Sequence, residues 1–375
     1  MIEDAAADQT GFDGPMGERW TAADIPDQTG RRAIVTGANS GLGFETALAL
    51  AAKGAEVTLA VRDTAKGAEA ARLITAQAPH ARVDVLRLDL ADLTSVDEFA
   101  WLWREAHPDE PDRGGSAVAP GQPDRGGSAD PPGSLDLLIN NAGIMAIPRR
   151  DSAQGFEMQL ATNHLGHFAL TGRLIDAIRP EGRVVTVSSQ AHRMGRIDFE
   201  DLMGERSYGP WRAYGQSKLA NLLFMRSLAE RLERAGSTVD SVAAHPGYAS
   251  THLQAVAPEM KGRGWQVKVM DAVNKVMAQS AAMGALPTLF AATAPAVSRG
   301  DYVGPDGFGE QRGHPTLVGM TGSARDDAVA ARLWTVSEEL TGVRYLSDRP
   351  QPVATQARSR APKTTARHSF LGSQT

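Results

Sequence analysis

The stretch Arg31-Arg32-Ala33-Ile34-Val35-Thr36-Gly37-Ala38-Asn39-Ser40-Gly41-Leu42-Gly43 decides the fold. Its first half is a short apolar run with β-branched residues, its second half is rich in glycine, and Phe44 to Ala52 continues as a helical pattern. A strand that breaks into a glycine turn and re-enters as a helix can cradle a phosphate. The glycines let the backbone turn tightly and come close to the ligand, and the helix N-terminus favours negative charge. Gly37, Asn39, Ser40, Gly41, Leu42 and Gly43 are therefore the first candidate cofactor-binding residues.

Outward from this turn, short apolar runs alternate with helical patterns: Ala33 to Val35, Val57 to Val61, Val83 to Leu88, Leu135 to Ile139, Val184 to Val187 and Val239 to Ala243. Strands that are apolar on both sides suit a parallel sheet covered on both faces, with the intervening helices as crossovers. The expected fold is α/β, a single-domain Rossmann-type doubly wound parallel sheet of about seven strands with helices on both faces. Ligands of such a sheet sit beyond the carboxyl ends of its strands. The glycine turn, Asn140-Asn141-Ala142-Gly143 and Ser188-Ser189 all fall on that edge, which adds Asn141, Ala142 and Gly143 to the cofactor candidates.

The second strand ends Leu59-Ala60-Val61-Arg62-Asp63. An acid at its end would bind the ribose hydroxyls of NAD, whereas an arginine nearby accommodates the 2′-phosphate of NADP. Val61 stands where the acid is expected and Arg62 follows, so the sequence favours NADP(H) over NAD(H), with Asp63 read as the N-cap of the next helix. Asp89 and Leu90, at the end of the third strand, would border the adenine.

Tyr214 and Lys218 stand in Tyr-Gly-Gln-Ser-Lys. Residues i and i+4 share a helix face, so the Lys218 ammonium is expected beside the Tyr214 phenol, favouring its ionised form. A phenol ordinarily titrates near ~10, too high for acid–base work at neutral pH, and a neighbouring cation lowers it.

Composition narrows the classes. The chain of 375 residues has no cysteine, which excludes disulfides, thiolate metal sites and cysteine nucleophiles. A formal net charge of −5 gives no global field for nucleic acid. There is no apolar run of about 18 residues to span a membrane. Acids at Glu3, Asp4, Asp8 and Asp13, without an apolar run after a basic start, argue against a secretory signal, so the expected location is cytoplasmic.

The chain divides into an N-terminal extension (1–30), an NADP-binding domain (31–347) and a tail (348–375). Within the domain, 107–134 is expected to be a flexible inserted loop, because Pro111-Asp-Arg-Gly-Gly-Ser-Ala117 recurs as Pro123-Asp-Arg-Gly-Gly-Ser-Ala129 amid dense Pro and Gly. The tail carries Arg358, Arg360, Lys363 and Arg367 and no acid beyond Pro350, a composition expected to be disordered.

These residues together resemble the short-chain dehydrogenases/reductases. Thr-Gly-x-x-x-Gly-x-Gly, Asn-Asn-Ala-Gly, Asn163, Ser189, Tyr-x-x-x-Lys and Pro246-Gly247 stand in that family's order, over roughly Arg31 to Leu346. Val187-Ser188-Ser189-Gln190-Ala191-His192 and Thr162-Asn163-His164-Leu165-Gly166-His167-Phe168 look most like the retinol-dehydrogenase-like branch and its bacterial relatives, which often use NADP(H). The resemblance implies that Tyr214 is the acid/base, that Lys218 lowers its pKa and holds the nicotinamide ribose, and that Ser189, rather than Ser188, binds the substrate oxygen. It further implies that Asn163 supports a water leading to Lys218, and that Pro246, Gly247 and Thr251 orient the nicotinamide. Hydrogen-bond donors aimed at an oxygen that gains negative charge fit carbonyl reduction. A homo-dimer or tetramer is implied, through the helices around Ala153 to Ile178 and Trp211 to Leu232.

The expected function is hydride transfer between NADP(H) and the carbonyl or alcohol of a small molecule. The apolar content of the segment from His252 to Met277 favours a lipophilic pocket and equally suits core packing. The alternatives are a carbon–carbon double-bond reductase acting on an enone and a non-enzymatic NADP-binding redox sensor. An extended-type nucleotide-sugar epimerase is disfavoured by the glycine spacing. No metal site is expected: His164 and His167, at i and i+3, lack a third ligand and read as packing residues. His192 is read as an edge of the substrate pocket, and Trp101 and Trp103 as packing beside the insert.

Overall fold

The computed structural model describes residues 19–107, 135–248 and 279–346. The repeat-bearing insert, Thr251, the segment from His252 to Met277 and the tail lie outside the described residues.

β1 (Arg32–Thr36) is buried along its whole length, and its side chains alternate between two cores. Ala33 and Val35 face one helical layer and Ile34 the other, as the two-residue period of a strand requires. β2 (Glu56–Val61), β4 (Leu135–Asn140), β5 (Ile178–Val187), β6 (Asp240–Ala244) and β7 (Tyr302–Pro305) continue the parallel sheet on either side, with β3 (Arg82–Arg87) at one edge. β8 (Pro315–Leu317) closes the other edge antiparallel to β7, so the sheet has eight strands in the order β3-β2-β1-β4-β5-β6-β7-β8. The strand order reverses between β1 and β4, and the carboxyl ends of those two strands frame the crevice of a doubly wound sheet. β3 departs from the expected two-sided burial: Arg82, Asp84 and Arg87 are exposed, as an edge strand with charged side chains allows.

On one face lie α1 (Gly41–Ala52), α2 (Thr64–Gln77) and α7 (Ala281–Thr293). On the other lie α3 (Leu93–Ala106), α4 (Met158–Leu160) and α5 (Gly166–Leu174), joined by a π-helical turn Ala161–Leu165, with α6 (Pro210–Arg234) and α8 (Asp327–Thr341). Side-chain caps start several of these helices. Asp63 Oδ1 accepts from the backbone N–H groups of Ala65 and Lys66 at 3.1 Å each, and Asp92 and Asp326 cap α3 and α8 in the same way.

Two features bear on the expected boundaries and surfaces. The fold begins before residue 31: Ile25 and Gln28 are buried, Trp20 meets Phe290 of α7 edge-on at 5.2 Å, and Lys53 Nζ donates to the Ala23 carbonyl at 2.6 Å. The helices expected to carry an oligomer interface pack much of their apolar surface within the chain. Every residue of α6 from Ala213 to Met225 is buried, and α8 supplies the outer cover. Trp334 of α8 stacks on Phe224 of α6 and packs edge-on against Phe168 of α5, while the Tyr345 hydroxyl donates to the Phe168 carbonyl.

Candidate active site

The glycine turn leaves β1 at Thr36. Gly37 takes φ +67, and a Cβ there would lie 3.0 Å from both Cα and Cβ of Ala142. A Cβ on Gly43 would stand 2.5 Å from the Gly37 carbonyl oxygen and 2.6 Å from Asn141 Nδ2, so only glycine lets the turn sit against the end of β4. Ser40 precedes α1 without a side-chain cap bond, which leaves the first-turn N–H groups of the helix facing the crevice. These features fit a bound pyrophosphate.

Thr36 holds the second half of the cradle. Its hydroxyl oxygen accepts from the backbone N–H groups of Asn141 and Ala142 at 2.9 Å each, while Asn141 Nδ2 donates to the Thr36 carbonyl at 2.8 Å. His167 lies behind it, with Nδ1 3.0 Å from the Asn163 carbonyl and Nε2 2.9 Å from Thr36 Oγ1. A carbonyl only accepts, so the ring proton is assigned to Nδ1 and Nε2 accepts from the threonine hydroxyl. Burial pushes the His167 ring down to about 4, which keeps it neutral in this role. His164 is likewise buried and pushed down to about 3, with Nε2 2.9 Å from Ser337 Oγ. Neither stands in a group of three or more His, Asp or Glu side chains placed to hold a metal ion among the described residues.

Arg62 is exposed just beyond β2, beside Asp63, the cap of α2. Asp89 and Leu90 follow β3: Asp89 Oδ1 accepts from Ala91 N at 3.0 Å, and the Leu90 backbone presses so closely on α5 that a Cβ on Gly166 would meet its carbonyl oxygen at 2.3 Å.

Asn163 sits in the π-helical turn, an irregularity that turns its side chain out of the helical ladder toward Ile144. Its Oδ1 accepts from Ile144 N at 2.8 Å, and Nδ2 donates to the Ile144 carbonyl at 3.0 Å and to Ser217 Oγ at 2.9 Å. A Cβ on Gly143 would lie 3.3 Å from Asn163 Oδ1 and 3.4 Å from Lys218 Nζ, so both polar groups converge on one glycine. Lys218 Nζ donates to the Val187 carbonyl at 3.1 Å, and Asn221 Nδ2 does the same at 3.1 Å.

The two serines after β5 separate as strand alternation requires. Ser188 is buried and donates to the Lys218 carbonyl at 2.8 Å, which commits it to holding α6. Ser189 is half-buried, and its hydroxyl accepts from Ala191 N at 3.2 Å. His192 is buried with Nδ1 2.7 Å from the Ser189 carbonyl.

The electrostatics differ from the sequence expectation. Burial pushes the Tyr214 phenol up and the Ser189 hydroxyl works against that shift. Lys218 lies 5.9 Å from the centroid of the Tyr214 ring, on the expected helix face, but burial brings Lys218 itself down to about 8. Its own desolvation weakens the cation that was to lower the phenol.

Pro246 and Gly247 follow β6. Gln279 Nε2 donates to the Pro246 carbonyl at 2.7 Å, and Gly247 takes φ +64 where a Cβ would meet the Gln311 carbonyl oxygen at 2.4 Å. Thr251 lies outside the described residues. Sequence reasoning does not single out Ser217, Asn221, His245 or Glu310. Asn221 was discoverable, one helical turn beyond Lys218 on the same face. His245 directly precedes Pro246-Gly247, but its carboxylate partner is 65 residues away and no local pattern announces it.

A family model for the short chain dehydrogenases matches residues 31–107 and 128–262. Retinol dehydrogenase 11 of Mus musculus is 37% identical over 318 residues, covering 84% of this chain and 87% of that protein. Retinol dehydrogenase 13 of Homo sapiens is 36% identical over 336 residues, covering 88% and 89%. Among solved structures, an uncharacterized protein from Mycobacterium Paratuberculosis is 42% identical, with a TM-score of 0.67 over 88% of this chain and 99% of that one. A short chain dehydrogenase from Burkholderia cenocepacia J2315, solved in complex with NADP, is 22% identical over 74% of this chain and 96% of that one, with a TM-score of 0.51, a likeness of fold. With the glycine cradle at the switch point and Ser189, Tyr214 and Lys218 on the same sheet edge, this chain belongs to the short-chain dehydrogenase/reductase family as one of its retinol-dehydrogenase-like members.

Proposed function

We propose that this protein interconverts a carbonyl and an alcohol on a lipophilic small molecule, with NADP(H) as coenzyme. The observation that carries the reading is a buried Tyr214 phenol beside the Ser189 hydroxyl, with the Lys218 ammonium 5.9 Å from the phenol ring, Asn163 converging with it on Gly143, and the glycine cradle alongside. The coenzyme, when bound, supplies or accepts the hydride.

The chain's residues do the rest. Gly37, Asn39, Ser40, Gly41, Leu42 and Gly43 would receive the pyrophosphate, Asp89 and Leu90 would border the adenine, and Asn141, Ala142 and Gly143 would line the path toward Lys218. Tyr214, kept protonated by burial, is a proton donor to a substrate oxygen that is gaining negative charge. Ser189 donates a hydrogen bond to the same oxygen, and a charged Lys218 stabilises the phenolate left behind. Asn163 fixes the Ile144 backbone beside Lys218 on one side and Ser217 on the other.

Preference for NADP(H) is supported by Arg62 standing exposed at the end of β2 and by the engagement of Asp63 Oδ1 in capping α2. A lipophilic substrate is supported by the exposed apolar side chains Met194, Trp211, Tyr248 and Phe308, which stand on the segments next to Ser189, Tyr214 and Gly247. The relatives' names point the same way, since retinol is a lipophilic alcohol.

The test is coenzyme oxidation with NADPH and NADH against a panel of lipophilic aldehydes, ketones and enones, wild type beside Arg62→Ala. Turnover of aldehydes with NADPH, and a preference that moves toward NADH by about tenfold or more in Arg62→Ala, supports the reading. Turnover of enones alone assigns double-bond reduction instead. Tight NADPH binding without any turnover assigns a sensor.

A further inference from the structure

The connection between β7 and β8 contains a short 3-10 turn, Phe308–Glu310, in which Glu310 takes φ +55 directly after Gly309 at φ +62. Glycine enters this left-handed region freely, whereas a residue with a long side chain is strained there. Glycine, asparagine or aspartate would satisfy the backbone better, so the advantage of a glutamate must lie in what its carboxylate reaches.

It reaches two loops of the site at once. One oxygen, Oε1, accepts from the Arg193 guanidinium at 2.9 Å, and the other, Oε2, lies 3.1 Å from His245 Nε2. His245 is fully buried, and its Nδ1 accepts the Gly247 N–H at 3.2 Å. The ring proton is therefore assigned to Nε2 and donated to the carboxylate. Arg193 belongs to the turn Gln190–Met194, which Ser189 caps, and His245 leads into Pro246-Gly247. Flanking contacts run in parallel: Gln190 Nε2 donates to the Gly309 carbonyl at 2.5 Å and Tyr248 N to the Gln311 carbonyl at 2.6 Å. The hydrogen bond from His245 also holds the Glu310 carboxyl below the usual carboxylate range, so the clasp is charged at neutral pH.

The geometry points to Glu310 as a positioning residue: its carboxylate, bridging Arg193 and His245, sets the spacing between the loop that presents Ser189 and the Pro246-Gly247 turn. This rests on the oxidoreductase reading, in which those two loops face the substrate oxygen and the nicotinamide. A displacement of about 1 Å between reacting groups is enough to cost a hundredfold in rate, so a tether between the two loops acts on chemistry more than on affinity.

The experiment compares Glu310→Gly, Glu310→Gln and Glu310→Asp with wild type by melting temperature, NADPH affinity, emission of bound NADPH and steady-state rate. Glu310→Gly is informative because it removes the carboxylate while relieving the left-handed backbone, so stability and positioning separate. The expected result is a Tm within about 3 °C of wild type and an NADPH Kd within about threefold, with kcat lowered tenfold or more in the Gly and Gln variants and partly restored in Asp. The emission of bound NADPH shifts in the same order, and Arg193→Ala adds little on the Glu310→Gln background. A kcat and an emission equal to wild type, whatever the Tm, would overturn the inference. If wild type turns over nothing in the panel, the oxidoreductase reading fails, and the emission of bound NADPH still decides whether Glu310 sets the nicotinamide loop.

Discussion

Tyr214 faces two demands at the scale of single residues. A proton donor must hold its proton until the substrate oxygen takes it, and burial does this by pushing the phenol up. The phenolate then needs a cation, and Lys218 is available as one only while protonated. Because burial brings Lys218 down to about 8, carbonyl reduction is expected to hold steady below that pH and to fall above it. A pH profile of kcat/KM that stays flat to pH 10 would remove Lys218 from this role. The buried histidines give a second, independent pH effect. His164 and His167 are held near 3 and 4, below the ~6.5 of an exposed imidazole, so the unfolded chain takes up protons that the folded chain refuses. Their contribution to stability is complete above pH 6.5 and is lost as pH falls toward 4, by about 2 kcal/mol for each ring at pH 5. Denaturant unfolding at pH 7 and pH 5 should show that loss, and His164→Gln should remove roughly half of it.

At the scale of elements, the strand–turn–helix unit at Thr36 works through atoms that a methyl group would displace. Gly43→Ala pushes on the Gly37 carbonyl, so NADPH affinity is expected to fall by about tenfold or more and stability by about 1–3 kcal/mol, as binding and calorimetry can establish. This unit was legible in the sequence because its chemistry is local: strand, glycines and helix are contiguous. So were β2, β4 and β6, whose apolar runs are long enough to stand out, and the Tyr214–Lys218 pair, whose spacing is a helical turn. β7 and β8 were not legible. They are four and three residues long, include Gly304, Pro305 and Pro315, and owe their strand conformation to the sheet edge they join. The first half of β5 was hidden by Pro180-Glu181-Gly182. The choice between Ser188 and Ser189 needed the family resemblance, and the reason for it emerges only in three dimensions, where Ser188 is committed to the Lys218 carbonyl. The clasp of Glu310 on Arg193 and His245 joins three separated segments, which no local pattern can announce.

At the scale of the molecule, α8 decides what α5 and α6 can touch. Trp334 lies between Phe168, Phe224 and Tyr345 with the Arg231 guanidinium 4.4 Å over its ring, so the apolar faces of both helices are filled from within one chain. These helices are therefore not expected to pair with a second copy. Trp334→Ala should cost about 3–5 kcal/mol and promote self-association through the exposed phenylalanines, as light scattering can follow. A wild-type dimer whose cross-links map to α5 and α6 would contradict this. The activity itself belongs to the whole assembly of cradle, loops and phenol, and one comparison tests it most directly. Wild type and Tyr214→Phe are titrated with NADPH and then assayed on the best lipophilic aldehyde of the panel. Coenzyme affinity within about threefold and a kcat lowered by a thousandfold or more in Tyr214→Phe is the result expected of an enzyme that uses this phenol as its proton donor. Retained turnover in Tyr214→Phe would contradict it.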